Sequence, residues 1–140
     1  NTAVTEVDKK ISSLAKEKLK NFLKTSDHLL IDEEDENICY TKKDIENAPY
    51  LWVIDPLDGT VNYLNNIPIF GISIALLKEL KPWLGIVYFP IFREAFISFG
   101  DKAFFIKGAF SKKEILNPIN PIEYKIDNNS IFLSNYVFHK

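Results

Sequence analysis

A chain of 140 residues with 46% hydrophobic and 14% aromatic content is long enough for one domain with a real core. A net charge of −2, with lysines interspersed among acids, leaves no basic face for nucleic acid. The longest apolar runs, such as GISIALL at 71–77, are too short to cross a bilayer, so no membrane partner is expected. In chain order, Val7, Ile11, Leu14, Ala15, Leu19, Phe22 and Leu23 recur at helical spacing. With lysines on most of the opposite face, they predict an amphipathic helix over 5–24. Thr5 followed by Asp8 reads as the capping box that starts it. Residues 25–50 are polar and irregular and include the acidic run DEEDE at 32–36.

LWVI (51–54) reads as a short buried strand ended by Pro56, and TVNYL (60–64) as a helical turn. GISIALL (71–77), WLGIVYF (83–89), EAFISF (94–99) and KAFFI (102–106) are strand-length and rich in β-branched and aromatic residues. Turn signals separate them, so 71–106 should be an antiparallel meander. Residues 107–128 read as loop with a helical turn, and SIFLS (130–134) as a last strand. The expected class is α+β, a helical layer on a largely antiparallel sheet.

No charged segment followed by an apolar one opens the chain, and the single Cys39 cannot form an internal disulfide. Both features fit a cytoplasmic protein. The chain has no methionine and starts at Asn1, just ahead of a helix, so an internal piece of a longer protein is expected.

The stretch WVIDPLDGTVNY (52–63) carries the chemistry. Asp55 emerges at the carboxyl end of a buried strand, Pro56 stiffens the turn, and Asp58 follows three residues later. Two carboxylates converging on one point repel each other unless a cation lies between them, and Mg²⁺ takes oxygen ligands of this kind. Gly59 and Thr60 begin a helical turn whose backbone N–H groups suit a phosphate. A plainer reading stands beside this one: Asp55 caps the turn, and Asp58-Gly59 simply makes it. Asp8 likewise serves as the third residue of its capping box, and the acidic run reads as a solvated loop. His28 and His139 are isolated, and no P-loop, GxSxG or CxxC pattern occurs.

The same stretch resembles the signature of the inositol monophosphatase family, Mg²⁺-dependent, lithium-sensitive phosphomonoesterases related to fructose-1,6-bisphosphatases. Asp55, Pro56, Asp58, Gly59, Thr60 and Asn62 match its Asp-Pro-x-Asp-Gly-Thr-x-Asn pattern. AVTEVDKKI (3–11) resembles the family's Val-Thr-x-x-Asp element, and LLIDEED (29–35) its Gly-Glu-Glu element, with Asp32 where glycine is usual. WLGIVYFPIFREAF (83–96) resembles its Gly-x-Val-x-x-Pro hairpin. KAFFIKG (102–108) resembles its Gly-Ala-x-x-Asn-Gly strand, with Asp101 or Lys102 in place of the first glycine.

The resemblance implies the first half of a layered α-β-α-β-α sugar-phosphatase fold, with 1–140 as its N-terminal metal-binding half. Glu33, Asp55, the Leu57 backbone carbonyl and Asp58 would be metal ligands, and Glu34 a neighbouring acid behind them. The Gly59 and Thr60 amides would hold the substrate phosphate, and the Thr60 hydroxyl, paired with Asp8, would orient the attacking water. Two or three Mg²⁺ ions are implied, with Mn²⁺ able to substitute, and a homodimer when the protein is intact. The implied reaction is hydrolysis of a small phosphorylated metabolite, inositol-1-phosphate first. Fructose-1,6-bisphosphate, histidinol phosphate and 3′-phosphoadenosine 5′-phosphate are alternatives. A non-catalytic, protein-binding homologue is the reading from another class. The family's later Trp-Asp-x-Ala-Ala-Gly element, which completes the second metal site, does not occur in the sequence.

Overall fold

The computed structural model describes residues 5–35 and 39–120. Helix α1 (Glu6–Leu23) opens with the expected reciprocal cap: the Thr5 hydroxyl oxygen accepts from the Val7 and Asp8 amides, and the Thr5 amide donates to the Asp8 carboxylate. Ala15, Leu19 and Leu23 on this helix pack against the core, whereas Leu14 and Phe22 are half exposed. The buried positions of α1 are polar, Asp8 and Ser12.

One seven-stranded sheet follows, its strands adjacent in chain order. Strand β1 (His28–Asp32) runs parallel to β2 (Tyr50–Asp58), with Leu30 opposite Trp52 and Asp32 opposite Ile54. A parallel pair needs a crossover, and the short helix α2 (Lys42–Asn47), capped by Thr41 and Asp44, lies within it. The remaining pairings are antiparallel: β3 (Gly71–Lys78), β4 (Lys81–Phe89), β5 (Glu94–Phe99), β6 (Lys102–Lys107) and β7 (Ile115–Ile119). The α+β class and the meander over 71–106 are therefore observed.

Three local expectations change. The polar stretch 25–50 contains β1 and α2, because two buried side chains, Leu30 and Asp32, suffice to seat a five-residue strand beside β2. Strand β2 does not stop at Pro56 but continues to Asp58, with the register shifting between Asp55 and Asp58. Pro56 has no N–H to give a ladder, and a bulge is where a strand tolerates it. The expected loop 107–128 contains β7, an outer strand of the described sheet, where Pro118 is admissible. The strand expected at 130–134 lies outside the described residues.

Leu30, Trp52, Ile54 and Leu76 form the larger core cluster beneath α1. Ala95, Ile106 and Ala109 form a smaller one at the other end of the sheet. Among the described residues, no helix is long and apolar enough to cross a membrane.

Candidate metal and phosphate site

The site lies at the carboxyl ends of β1 and β2, where a parallel pair delivers two loops to the same edge. Glu33 is the first residue beyond β1, and its amide donates to the Ile54 carbonyl at 3.1 Å. That bond anchors Glu33 beside the residue preceding Asp55. The Asp55 carboxyl is pushed up to about 7, first by burial, then by the Glu33 carboxylate and a hydrogen bond with it, and then by Asp58. The Leu57 amide, donating to Asp55 Oδ1 at 3.1 Å, opposes the rise. Glu34 is also raised, first by burial and then by Asp8, Glu33 and Asp32. Six carboxylates, in two groups that share Glu33, thus act on one another across this edge.

Asp8 arrives from α1. It is 1% exposed; one oxygen is engaged by Thr5 and the other faces the Thr60 hydroxyl at 3.4 Å. Capping and facing Thr60 therefore coexist, each using a different oxygen. The Thr60 hydroxyl makes its shorter bond, 2.9 Å, to the Leu57 carbonyl. A hydroxyl has one proton, so the Leu57 carbonyl is its better acceptor and the Asp8 contact the weaker one. That carbonyl keeps a second lone pair.

Gly59 sits at φ +90°, immediately before α3 (Thr60–Leu64), and makes no side-chain cap. A Cβ there would lie 3.0 Å from the Ile69 carbonyl oxygen, so both the backbone angle and the close approach require glycine. Asn62 amide nitrogen donates to the same Ile69 carbonyl at 2.6 Å, pinning α3 to the approach to β3. Asp58 is exposed and Pro56 fully buried, so the turn is fixed from beneath while its carboxylate faces out.

Glu33, Asp55, Asp58, Leu57, Gly59, Thr60, Asp8 and Glu34 are therefore all brought to one edge of the sheet. Among the described residues, no three His, Cys, Asp or Glu side chains alone converge closely enough to hold a metal. The donor set is nevertheless hard oxygen, and burial together with the neighbouring carboxylates raises the Asp55 pKa to about 7. That chemistry fits Mg²⁺, which needs few protein ligands and keeps several waters.

Three participants were not anticipated as a group: Ser12, Lys16 and Asp32. Ser12 and Lys16 follow Asp8 at intervals of four, which places all three on one stripe of α1 facing the sheet. Lys16 thus departs from the solvated lysine face expected for this helix. Burial pulls its pKa down, but the Asp35 and Asp32 carboxylates more than compensate and raise it. The i, i+4 polar series was the available signal.

The family model described as "Inositol monophosphatase family" matches residues 1–134. A fructose-1,6-bisphosphatase/inositol-1-monophosphatase from Aquifex aeolicus is 39% identical over 89 residues, 64% of this chain and 31% of that protein. The structure of a dual specific IMPase/NADP phosphatase bound with D-inositol-1-phosphate superposes with a TM-score of 0.64 at 31% identity. It covers 73% of this chain and 38% of that one. An IMPase/NADP phosphatase complexed with Mg²⁺ and phosphate gives 0.62 at 31% identity, over 73% and 37% of the two chains. The chain spans about a third of the length of the curated relatives it matches. The matched family model, running through nearly the whole chain and across every residue of the site, places this protein in the inositol monophosphatase family.

Proposed function

We propose that residues 1–140 form the N-terminal metal-binding half of a divalent-metal-dependent phosphomonoesterase. Its substrate class is a small phosphate monoester, with inositol-1-phosphate first. The observation that carries this reading is the gathering at one sheet edge of Asp8 from α1, Glu33 from the turn after β1, Asp55 and Asp58 from β2 and Thr60 from α3, with Asp55 raised by burial and then by its carboxylate neighbours. A cation would relieve that crowding. The solved IMPase/NADP phosphatase complexed with Mg²⁺ and phosphate supports the choice of ion.

Glu33, Asp55, the Leu57 carbonyl and Asp58 would hold the ions, two or three Mg²⁺, with Mn²⁺ as a substitute. When bound, the ions supply Lewis acidity and lower the pKa of a coordinated water. The chain's own residues do the rest. Gly59, whose φ of +90° and close approach to Ile69 set the start of α3, and Thr60 would hold the substrate phosphate through their amides. The Thr60 hydroxyl, with buried Asp8 3.4 Å away, would orient the attacking water. Glu34, its pKa raised first by burial and then by Asp8 and Glu33, would be the acid behind them. Positioning and charge neutralisation account for most of the rate in such a reaction.

The test is phosphate release by the intact protein from inositol-1-phosphate, fructose-1,6-bisphosphate, histidinol phosphate and 3′-phosphoadenosine 5′-phosphate. Each is assayed with Mg²⁺, and with and without lithium. Metal-dependent, lithium-inhibited release, fastest from inositol-1-phosphate, is expected. Release that persists in excess chelator would overturn the mechanism, and a different fastest substrate would reassign the specificity.

A further inference from the structure

Among the described residues, Asp32 is the one carboxylate near this edge with no exposed surface at all, and the proposed chemistry gives it no part. Its bonds are nonetheless numerous. Ser12 Oγ donates to Oδ2 at 2.5 Å, and Lys16 Nζ lies 3.4 Å from the same oxygen. Oδ1 accepts the Glu34 amide at 3.1 Å. The Asp32 carbonyl accepts the Asp35 amide at 3.0 Å, and Lys16 also reaches Asp35 Oδ2 at 3.0 Å. The turn carrying Glu33 and Glu34 is thereby tied to α1 through Ser12 and Lys16, and to β2 through the Glu33–Ile54 bond. The resembling motif has glycine at this position, which could supply none of the side-chain bonds.

We propose that Asp32, held by Ser12 and Lys16, is the positioning residue that fixes the Glu33–Glu34 turn against β2 and so sets the site's affinity for divalent cations. This rests on the metal-site reading above. A buried carboxylate is costly, and it persists here because a cation, a hydroxyl and an amide share its charge. Removing any of these partners leaves Asp32 under-satisfied and frees the turn to shift. Partners behind metal ligands typically change metal affinity by about 10–100-fold when removed.

Lys16 gives the test its sign. If only net charge mattered, Lys16→Met would tighten cation binding, because it removes a positive charge. Positioning requires the opposite. The measurement is Mn²⁺ binding to the intact protein by electron paramagnetic resonance, well below the melting temperature, with circular dichroism to confirm folding. Lys16→Met and Asp32→Ala should each weaken Mn²⁺ binding about tenfold, and Ser12→Ala about threefold. Unchanged or tighter binding in folded Lys16→Met overturns the inference. Glu33→Gln and Asp55→Asn serve as controls. If they too bind Mn²⁺ normally, the metal-site reading itself has failed and the inference goes with it; if they alone weaken binding, only the inference has failed.

Discussion

The two ends of the sheet obey different rules. At the β1–β2 end, α1 covers the strands, and the buried polar residues Asp8, Ser12 and Asp32 are all partnered. At the β5–β7 end the buried cluster is Ala95, Ile106 and Ala109, small side chains apart from one isoleucine. Around it Phe96, Phe99, Ile115 and Leu116 are each about half exposed. Among the described residues, one end buries polar groups and the other buries none. Burial of a carboxylate is tolerated only where something specific is gained, so the chemistry belongs at the covered end. The open end extends the sheet by antiparallel pairing that needs only local turns.

The largest break in this comparison should come from Asp55→Asn. Activity of the intact protein is expected to fall about a thousandfold, roughly 4 kcal/mol of transition-state stabilisation. Thr60→Ala should cost far less. Stability should move the other way in metal-free buffer. The folded Asp55 pKa of about 7 lies above its ordinary value of 3.8, so the folded chain holds a proton that the unfolded chain has released. That contribution is present below about pH 4 and is lost as pH rises through 7. The asparagine variant cannot ionise, so its melting temperature relative to the starting protein should climb between pH 4 and pH 8. A constant difference across that range would mean that neither burial nor the Glu33 and Asp58 carboxylates raise Asp55. Near-full activity would remove it from the mechanism.

The sequence exposed this site because its chemistry is contiguous. Asp55 through Asn62 run unbroken from the end of β2 through Gly59 into α3. The meander from Gly71 to Lys107 was legible for the same reason: alternating apolar strands separated by short turns pair with their neighbours. What stayed hidden depends on distant partners. HLLID becomes β1 only because β2 lies beside it, 22 residues away in register, and ILNPI pairs because β6 presents an edge. The Asp32 network joins positions 12, 16 and 32, and no local pattern marks Asp32 as buried. The acidic run was most simply read as solvated, and Asp32, with no exposed surface, shows where that reading fails.

A second test probes the covered end by packing alone. Ile54 is 2% exposed, and its carbonyl accepts the Glu33 amide. Ile54→Ala should cost about 3 kcal/mol in urea unfolding, since truncating a buried isoleucine loses transfer energy and leaves a cavity. The loosened β2 should also weaken Mn²⁺ binding, because the Glu33 anchor lies on the same residue. A loss below about 1 kcal/mol would show that the β1–β2 end is not the stabilising core.

The smallest effect is expected at the open end, and it decides whether the contrast is one of structure or only of composition. Phe96 is 45% exposed, touching Phe105 with ring centroids 5.1 Å apart and Phe89 at 6.4 Å. It borders a shallow groove of about 240 Å³ that small residues, Ser73, Ala75, Gly85 and Ser98, open across the sheet. Phe96→Ser keeps the backbone ladder to β4 and β6, so it removes only partial burial and two aromatic contacts. The expected cost is about 1 kcal/mol or less, with Mn²⁺ affinity unchanged. Urea unfolding and the same resonance titration measure both. If this half-exposed phenylalanine cost as much as Ile54, the open face would have to contribute to the fold as strongly as the face beneath α1. The division between a chemical end and a scaffolding end would then have no energetic basis.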